Sequence, residues 1–153
     1  MVFKGVRTGF KWSSVLLLIE YVFLVFCSTV IFRPTGETRQ YDFHPFWSYD
    51  RPELLVENIM NVVVLVPVGM VLGFMVHDSR SNEGSWLSVP GSWLIVTIIG
   101  CGISVSIEAL QFFFMRGFSE FDDVIHNTVG CLIGYGIYSV ARYGYERLIH
   151  VHG

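Results

Sequence analysis

Charge is what this chain of 153 residues has least of. Asp, Glu, Lys and Arg make up 15% of it, against about 25% in an average soluble domain, and they fall in short clusters between long apolar runs. A soluble core of this length needs a coat of charged side chains, so the shortage argues against a soluble enzyme. A block of basic residues is also missing, and the formal net charge is -3, which leaves nucleic acid nothing to bind. Cysteine is scarce: Cys27, Cys101 and Cys131 all lie in apolar runs with no CxxC pair, so neither a zinc site nor a disulfide framework is expected. The chain lacks a Ser-His-Asp set, an HExxH element and a phosphate-cradling glycine loop. His126, four residues after Asp122, is too little to hold a metal, and no cofactor is expected. With no internal repeat or low-complexity tract, residues 1–153 read as one domain.

What the chain does have is hydrophobicity: 52% of its residues are hydrophobic, with a mean hydropathy of +0.53. Runs of ~20 apolar residues suit a bilayer-spanning helix, and four occur: Trp12 to Phe32, Glu57 to Val76, Trp93 to Met115 and Val124 to Ala141, the last being the shortest. The first follows Lys4, Arg7 and Lys11 but exceeds the ~7–15 apolar residues of a signal core and lacks a small-x-small cleavage site. Phe26 before Cys27 also disfavours lipoprotein processing. An uncleaved signal-anchor helix is expected, and with it an all-α, integral membrane four-helix bundle.

In a four-span arrangement Lys4, Arg7, Lys11, Arg80, Arg142 and Arg147 share one side, and Arg33, Arg39, Arg51 and Arg116 the other. This bias places both termini in the cytoplasm. The first extracytoplasmic loop, Arg33 to Val56, carries Pro34, Pro45 and Pro52 with Tyr41, Phe43, Phe46, Trp47 and Tyr49. Prolines break a long helix there and the aromatics suit the headgroup interface. The other long connector, His77 to Ser92, contains Ser79, Ser81, Asn82, Gly84, Ser85 and Pro90 and reads as an ordinary polar link.

Polar groups inside spans are expensive, ~2.5–3.5 kcal/mol for a central charge. In the third span Ser104, Glu108, Gln111 and Met115 follow i, i+4, i+7, i+11 spacing, which holds them within a stripe about 60° wide. Asp123, Asn127, Gly130 and Gly134 repeat that spacing in the fourth, and Asn58 and Asn61 share a face of the second. At ~1.5 Å per residue, Asn61, Asn127, Gln111 and Glu108 all come to rest within about 10 Å of the outer boundary. Arg116, Glu120, Asp122 and Asp123 lie just above them in the turn between the third and fourth spans. One outward-opening cavity could collect every one of these groups. The alternative is that Asn, Gln and Ser merely hydrogen-bond helices together, at about 0.6–2 kcal/mol each, but a lone buried carboxylate such as Glu108 costs more than a packing contact returns. Glu20, mid-way along the first span, either faces the same cavity or pairs across the bundle, or is a structurally tolerated carboxyl. Gly69 with Gly73, and Gly130 with Gly134, are small-xxx-small pairs that permit close helix approach, and Pro67 is expected to kink the second span.

These residues resemble the VanZ-like family of bacterial membrane proteins. Asn61, Pro67 and Gly69 are similar to its Asn, Pro-x-Gly element; Ser104, Glu108 and Gln111, followed by Arg116, to its Ser, Ile-Glu-x-x-Gln element; and Asp122, Asp123, Asn127, Gly130 and Gly134 to its Asp-rich turn and Asn-x-x-Gly-x-x-x-Gly. Glu120 stands where that family more usually has Asp. The resemblance covers about residues 41–140 and implies a multi-pass protein of the bacterial cytoplasmic (inner) membrane, whose best-known relative gives low-level resistance to teicoplanin, a lipid-tailed glycopeptide. The leading expectation is an outer-leaflet site for a membrane lipid or lipid-tailed small molecule, with Asn58, Asn61, Ser104, Gln111, Asp122 and Asn127 hydrogen-bonding the head and Arg116 meeting its negative charge. Its rival is an intramembrane enzyme acting on a phospholipid or lipid-linked cell-wall precursor, with Glu108 as general acid or base and Asp123 as partner. The third is a small proton-coupled transporter using Glu20 and Glu108, for which the short chain favours a homo-oligomer.

Overall fold

The computed structural model describes residues 2–80 and 91–152, with side chains over 12–76 and 91–148. Ser81, Asn82, Gly84, Ser85 and Pro90 of the polar connector lie outside the described residues, as do the side chains of Lys4, Arg7, Lys11 and Arg80. Four long helices carry the chain: α1 (Val2–Phe26), α2 (Leu55–Arg80), α3 (Ser92–Phe114) and α4 (Phe121–His152). Each contains a stretch long and apolar enough to cross a membrane: Trp12–Ile31, Pro52–Val76, Ser92–Phe114 and Phe121–Leu148. Large apolar side chains such as Leu17, Leu24, Val63, Ile98 and Val140 cover the outside of the bundle, as the surface of a multi-pass membrane protein requires. The fourth run, expected to be the shortest, belongs to the longest helix. Its 32 residues extend for about 48 Å, because the Gly, Tyr and Arg residues that lower hydropathy after Ala141 do not interrupt backbone hydrogen bonding.

Helix α1 widens at its end into a π-helical turn, Cys27–Ile31, closed by Phe32 N–H donating to Cys27 O at 2.9 Å. Ser28 and Thr29 both turn their hydroxyls onto Val25 O at 2.8 Å, and such side-chain bonds compete with the helical ladder. Beyond it, Pro34 has no N–H to offer the last carbonyls. The following segment doubles back over the turn between α3 and α4. There β1 (Gln40–Asp42) pairs in parallel with β2 (Phe118–Glu120), in the register Gln40↔Phe118, Tyr41↔Ser119 and Asp42↔Glu120. Thr35 bridges Arg116, and Gly36 N–H donates to Met115 O at 2.7 Å. These two short strands are an addition to the expected all-helical bundle. Two 3-10 turns, Trp47–Asp50 and Pro52–Leu54, then lead into α2.

The bundle is built around the α2–α4 pair. A Cβ on Gly130 would run into Val62 O, one on Gly134 into Val66 O, and one on Gly69 into Cys131 O, so the backbones touch where only glycine permits it. Leu65, Val68, Leu72, Val96 and Cys131 form the core beside this contact. Helix α2 continues through Pro67 as one element, and Tyr21 Oη donates to Val64 O at 2.9 Å in the turn that the proline loosens. Helix α1 is held less closely. In the most apolar window of its span 11% of residues are buried, against 28% in each of the other three.

Candidate functional site

The polar side chains of α2, α3 and α4 meet at the end of the bundle that carries the paired strands. Asn61 Nδ2 donates to Asp123 Oδ1 at 2.6 Å, joining α2 to α4, and Asn127 Nδ2 donates to Ser104 Oγ at 3.0 Å, joining α4 to α3. One turn along α3, Glu108 Oε2 accepts the Glu120 backbone N–H at 2.9 Å. Gln111 Nε2 reaches Thr29 O at 3.0 Å, the carbonyl that the π-turn and Pro34 leave open. Ser104, Glu108, Gln111, Asp123 and Asn127 are buried.

Two acceptors in this cluster have no partner: Gln111 Oε1 and Asn127 Oδ1 are buried without a hydrogen bond. A buried polar atom left unpaired costs about 1–3 kcal/mol. Each amide therefore uses its NH2 to bind another helix and holds its oxygen in the interior beside Glu108's face of α3.

Asp122 and Arg116 serve the loop. The Asp122 carboxylate accepts Phe46 N–H at 2.6 Å, Ser48 N–H at 3.0 Å and the Ser48 hydroxyl at 2.6 Å, and Asn58 Nδ2 donates onward to Ser48 Oγ at 3.2 Å. This anchor holds Phe46 at a φ of 66°, a left-handed conformation costly for an aromatic residue. Helix α3 ends with Met115 also left-handed, at a φ of 53°, and Arg116 N–H returning to Gln111 O at 2.8 Å. The reversal swings Arg116 Nη1 onto Ile31 O and Arg33 O, at 2.6 and 2.8 Å. Gln111 and Arg116 thus tie the end of α1 to the end of α3.

The cation facing the carboxylates is Arg33, which the sequence reading passed over. Its guanidinium pairs with Glu57 at 3.3 Å and acts electrostatically on both Glu108 and Asp123. Gly117, at a φ of 85°, leaves it room, since a Cβ there would meet Arg33 Nη1 at 2.6 Å. Glu57, Glu108, Glu120, Asp122 and Asp123 leave the region acidic in spite of Arg33. Glu120, between the spans, shows the consequence: burial, and then the charges of Asp123, Glu57 and Asp122, push its carboxyl up to about 7. His126 and Tyr49 complete the rim, with Tyr49 Oη 3.0 Å from His126 Nε2. Among the described residues no group of His, Cys, Asp and Glu side chains is arranged to hold a metal ion.

The sequence profile of one family, VanZ/LLP1, matches residues 13–142. The chain belongs to the VanZ-like family. No curated protein and no solved structure matches it. The VanZ-like match reaches into all four spans, stopping before the end of the fourth, and takes in the strand pair and every residue of the cluster. Glu20 stands apart: it is exposed on α1, has no hydrogen-bond or ion-pair partner among the described residues, and does not join the Glu108 cluster. The cavity-facing alternative for Glu20 is therefore corrected, and the transporter reading loses one of its two carboxylates from the site. Arg33, Thr29, Ser48, Tyr49 and Glu57 are the site's unforeseen members, of which Arg33 carried a signal as an outer-side charge and Tyr49 as one aromatic among several in the loop.

Proposed function

We propose that the strand-bearing end of this VanZ-like protein lies at the outer face of the bacterial cytoplasmic membrane, with both termini inside, and engages the head of a membrane lipid or lipid-tailed molecule. The observation that carries this reading is the pair of buried, unpartnered acceptors, Gln111 Oε1 and Asn127 Oδ1. Groups that serve only as glue between helices gain nothing from such atoms, whereas a bound head group supplies the missing donors. The surrounding carboxylates set its chemistry. A hydroxyl, amide N–H or ammonium is favoured there, and a bare phosphate is repelled. Ser104 holds the Asn127 amide, Asn58 the loop and Asn61 the Asp123 carboxylate, and Arg33 rather than Arg116 balances the acidic wall. In a cell the reading takes the form of low-level, teicoplanin-selective protection.

A second reading has its own support. Asp123 acts electrostatically on Glu108, and two interacting buried carboxyl groups are a recurrent basis for acid–base chemistry, here on a phospholipid or lipid-linked precursor. Teicoplanin and vancomycin susceptibility of a sensitive Gram-positive host separates the two, with membrane abundance checked by blot. Wild-type protein is expected to protect selectively against teicoplanin. Binding predicts that Gln111→Met with Asn127→Leu abolishes protection while Glu108→Gln keeps most of it, and acid–base chemistry predicts that Glu108→Gln alone abolishes it. No protection from abundant wild-type protein overturns the resistance role.

A further inference from the structure

Between α1 and α3 lies an apolar groove of about 660 Å³, walled by Leu18, Val22 and Phe26 on one side and by Ile99, Ile103 and Leu110 on the other. Gly102 and, one turn on, Ser106 complete the α3 side as exposed residues at its edge. A Cβ added at Gly102 would meet nothing within 4 Å, in contrast to the glycines of the α2–α4 contact, so this edge borders open space. Ser106 makes no demand on an occupant, because its hydroxyl already donates to Gly102 O at 2.7 Å. From Ile99 to Leu110 the groove runs for about 17 Å along α3, close to half of a ~30 Å hydrocarbon core.

The groove is not isolated from the polar cluster. Leu110 precedes Gln111, Phe26 precedes the π-turn, and the bond from Gln111 Nε2 to Thr29 O crosses from α3 to the end of α1 above these two residues. An apolar slot one leaflet long therefore ends beneath a buried amide whose oxygen lacks a donor.

We infer that this groove is a slot for one acyl chain of a membrane lipid, which enters between α1 and α3 with its tail toward Ile99 and its head toward Gln111. The inference deepens the proposed function and rests on it for the head, while the slot itself rests on the groove. Its setting selects the occupant. The walls lie within membrane spans and face outward, where Ile19, Phe23 and Ile99 are exposed, so hydrocarbon chains are the material at its mouth. Helices packed together need ~8–10 Å between axes, and a slot lying between two neighbouring helices takes a chain rather than a third helix. The loose hold on α1 lets the slot admit its guest from the side.

The test uses the full-length protein in phosphatidylcholine vesicles doped with a phosphatidylcholine that carries a photoreactive diazirine midway along one acyl chain, with adducts located by peptide mass spectrometry. Adducts are expected to be several-fold enriched on Leu18, Val22, Ile99 and Ile103 over Leu17 and Leu24, which are exposed elsewhere on α1. Gly102→Phe, which sets a ring at the groove's edge without a clash, should block the slot and bring the enrichment down to the Leu17 and Leu24 level, and Ser106→Phe should repeat the effect one turn further out. Equal labelling of both faces of α1, or enrichment unchanged in both variants, overturns the slot whatever the susceptibility assay shows. Gln111→Met isolates the head: enrichment that falls supports an anchored lipid, and enrichment that persists leaves the slot standing and removes Gln111 from the head site.

Discussion

The two ends of the α2–α4 pair are joined by different physics. Away from the strands, Gly130, Gly134 and Gly69 bring carbonyl against backbone through contacts that use no polar side chain. At the strand-bearing end the same helices carry Asn61, Asp123 and Asn127, which bond across the bundle, yet Asn127 Oδ1, like Gln111 Oε1 on α3, is left unpaired. Close packing and interhelical hydrogen bonds both drive association in membranes, so a bundle that already has the glycine contact does not require the second kind. The contrast teaches that the polar end is shaped by a demand other than folding.

The comparison breaks first at the glycines. Gly130→Leu or Gly134→Leu puts a side chain where Val62 O or Val66 O stands, and a loss of more than about 3 kcal/mol is expected, read as failure to accumulate folded protein in the membrane. Next comes the loop anchor. Asp122→Ala strips three donors of their acceptor at a cost of about 2–4 kcal/mol. Hydrogen exchange should show Phe46 and Ser48 amides losing protection while the α2–α4 contact keeps its own.

A smaller effect follows from Glu120. Its carboxyl titrates at about 7 in the folded protein against an ordinary 4.5. Between these values the unfolded chain releases the proton and the folded chain retains it, so stability falls as pH rises from 4.5 to 7, by about 1–3 kcal/mol. Glu120→Gln should flatten that slope, as unfolding measured at pH 5 and pH 7.5 will show.

Much of this arrangement is legible in the sequence because helical periodicity is local. The 3.6-residue repeat puts Ser104, Glu108 and Gln111 on one face, and alternating span directions bring Asn61 and Asn127 to the same end. Legibility stops where contacts depend on irregular backbone. The Asp122 anchor joins residues 74 and 76 positions apart, and no spacing rule ties a loop serine to a helix-start aspartate. Arg116 reads as a ligand arginine until the left-handed Met115 turns its side chain onto two carbonyls. Arg33 reads as a boundary charge, and only the doubling back of the loop over Gly117 sets it against Glu57 and the carboxylates. The strand pair is too short for alternation to announce it, and the extent of α4 is hidden because hydropathy measures lipid affinity rather than helix length.

The smallest expected effect tests the central claim most directly. In reversible unfolding of the full-length protein in lipid bicelles, Gln111→Met with Asn127→Leu replaces both unsatisfied amides by apolar groups of similar size. The account predicts stability within about 1 kcal/mol of wild type, since the lost bonds and the removed unpaired acceptors offset one another. A loss of more than about 3 kcal/mol would contradict it, and would make these amides part of what holds the bundle together.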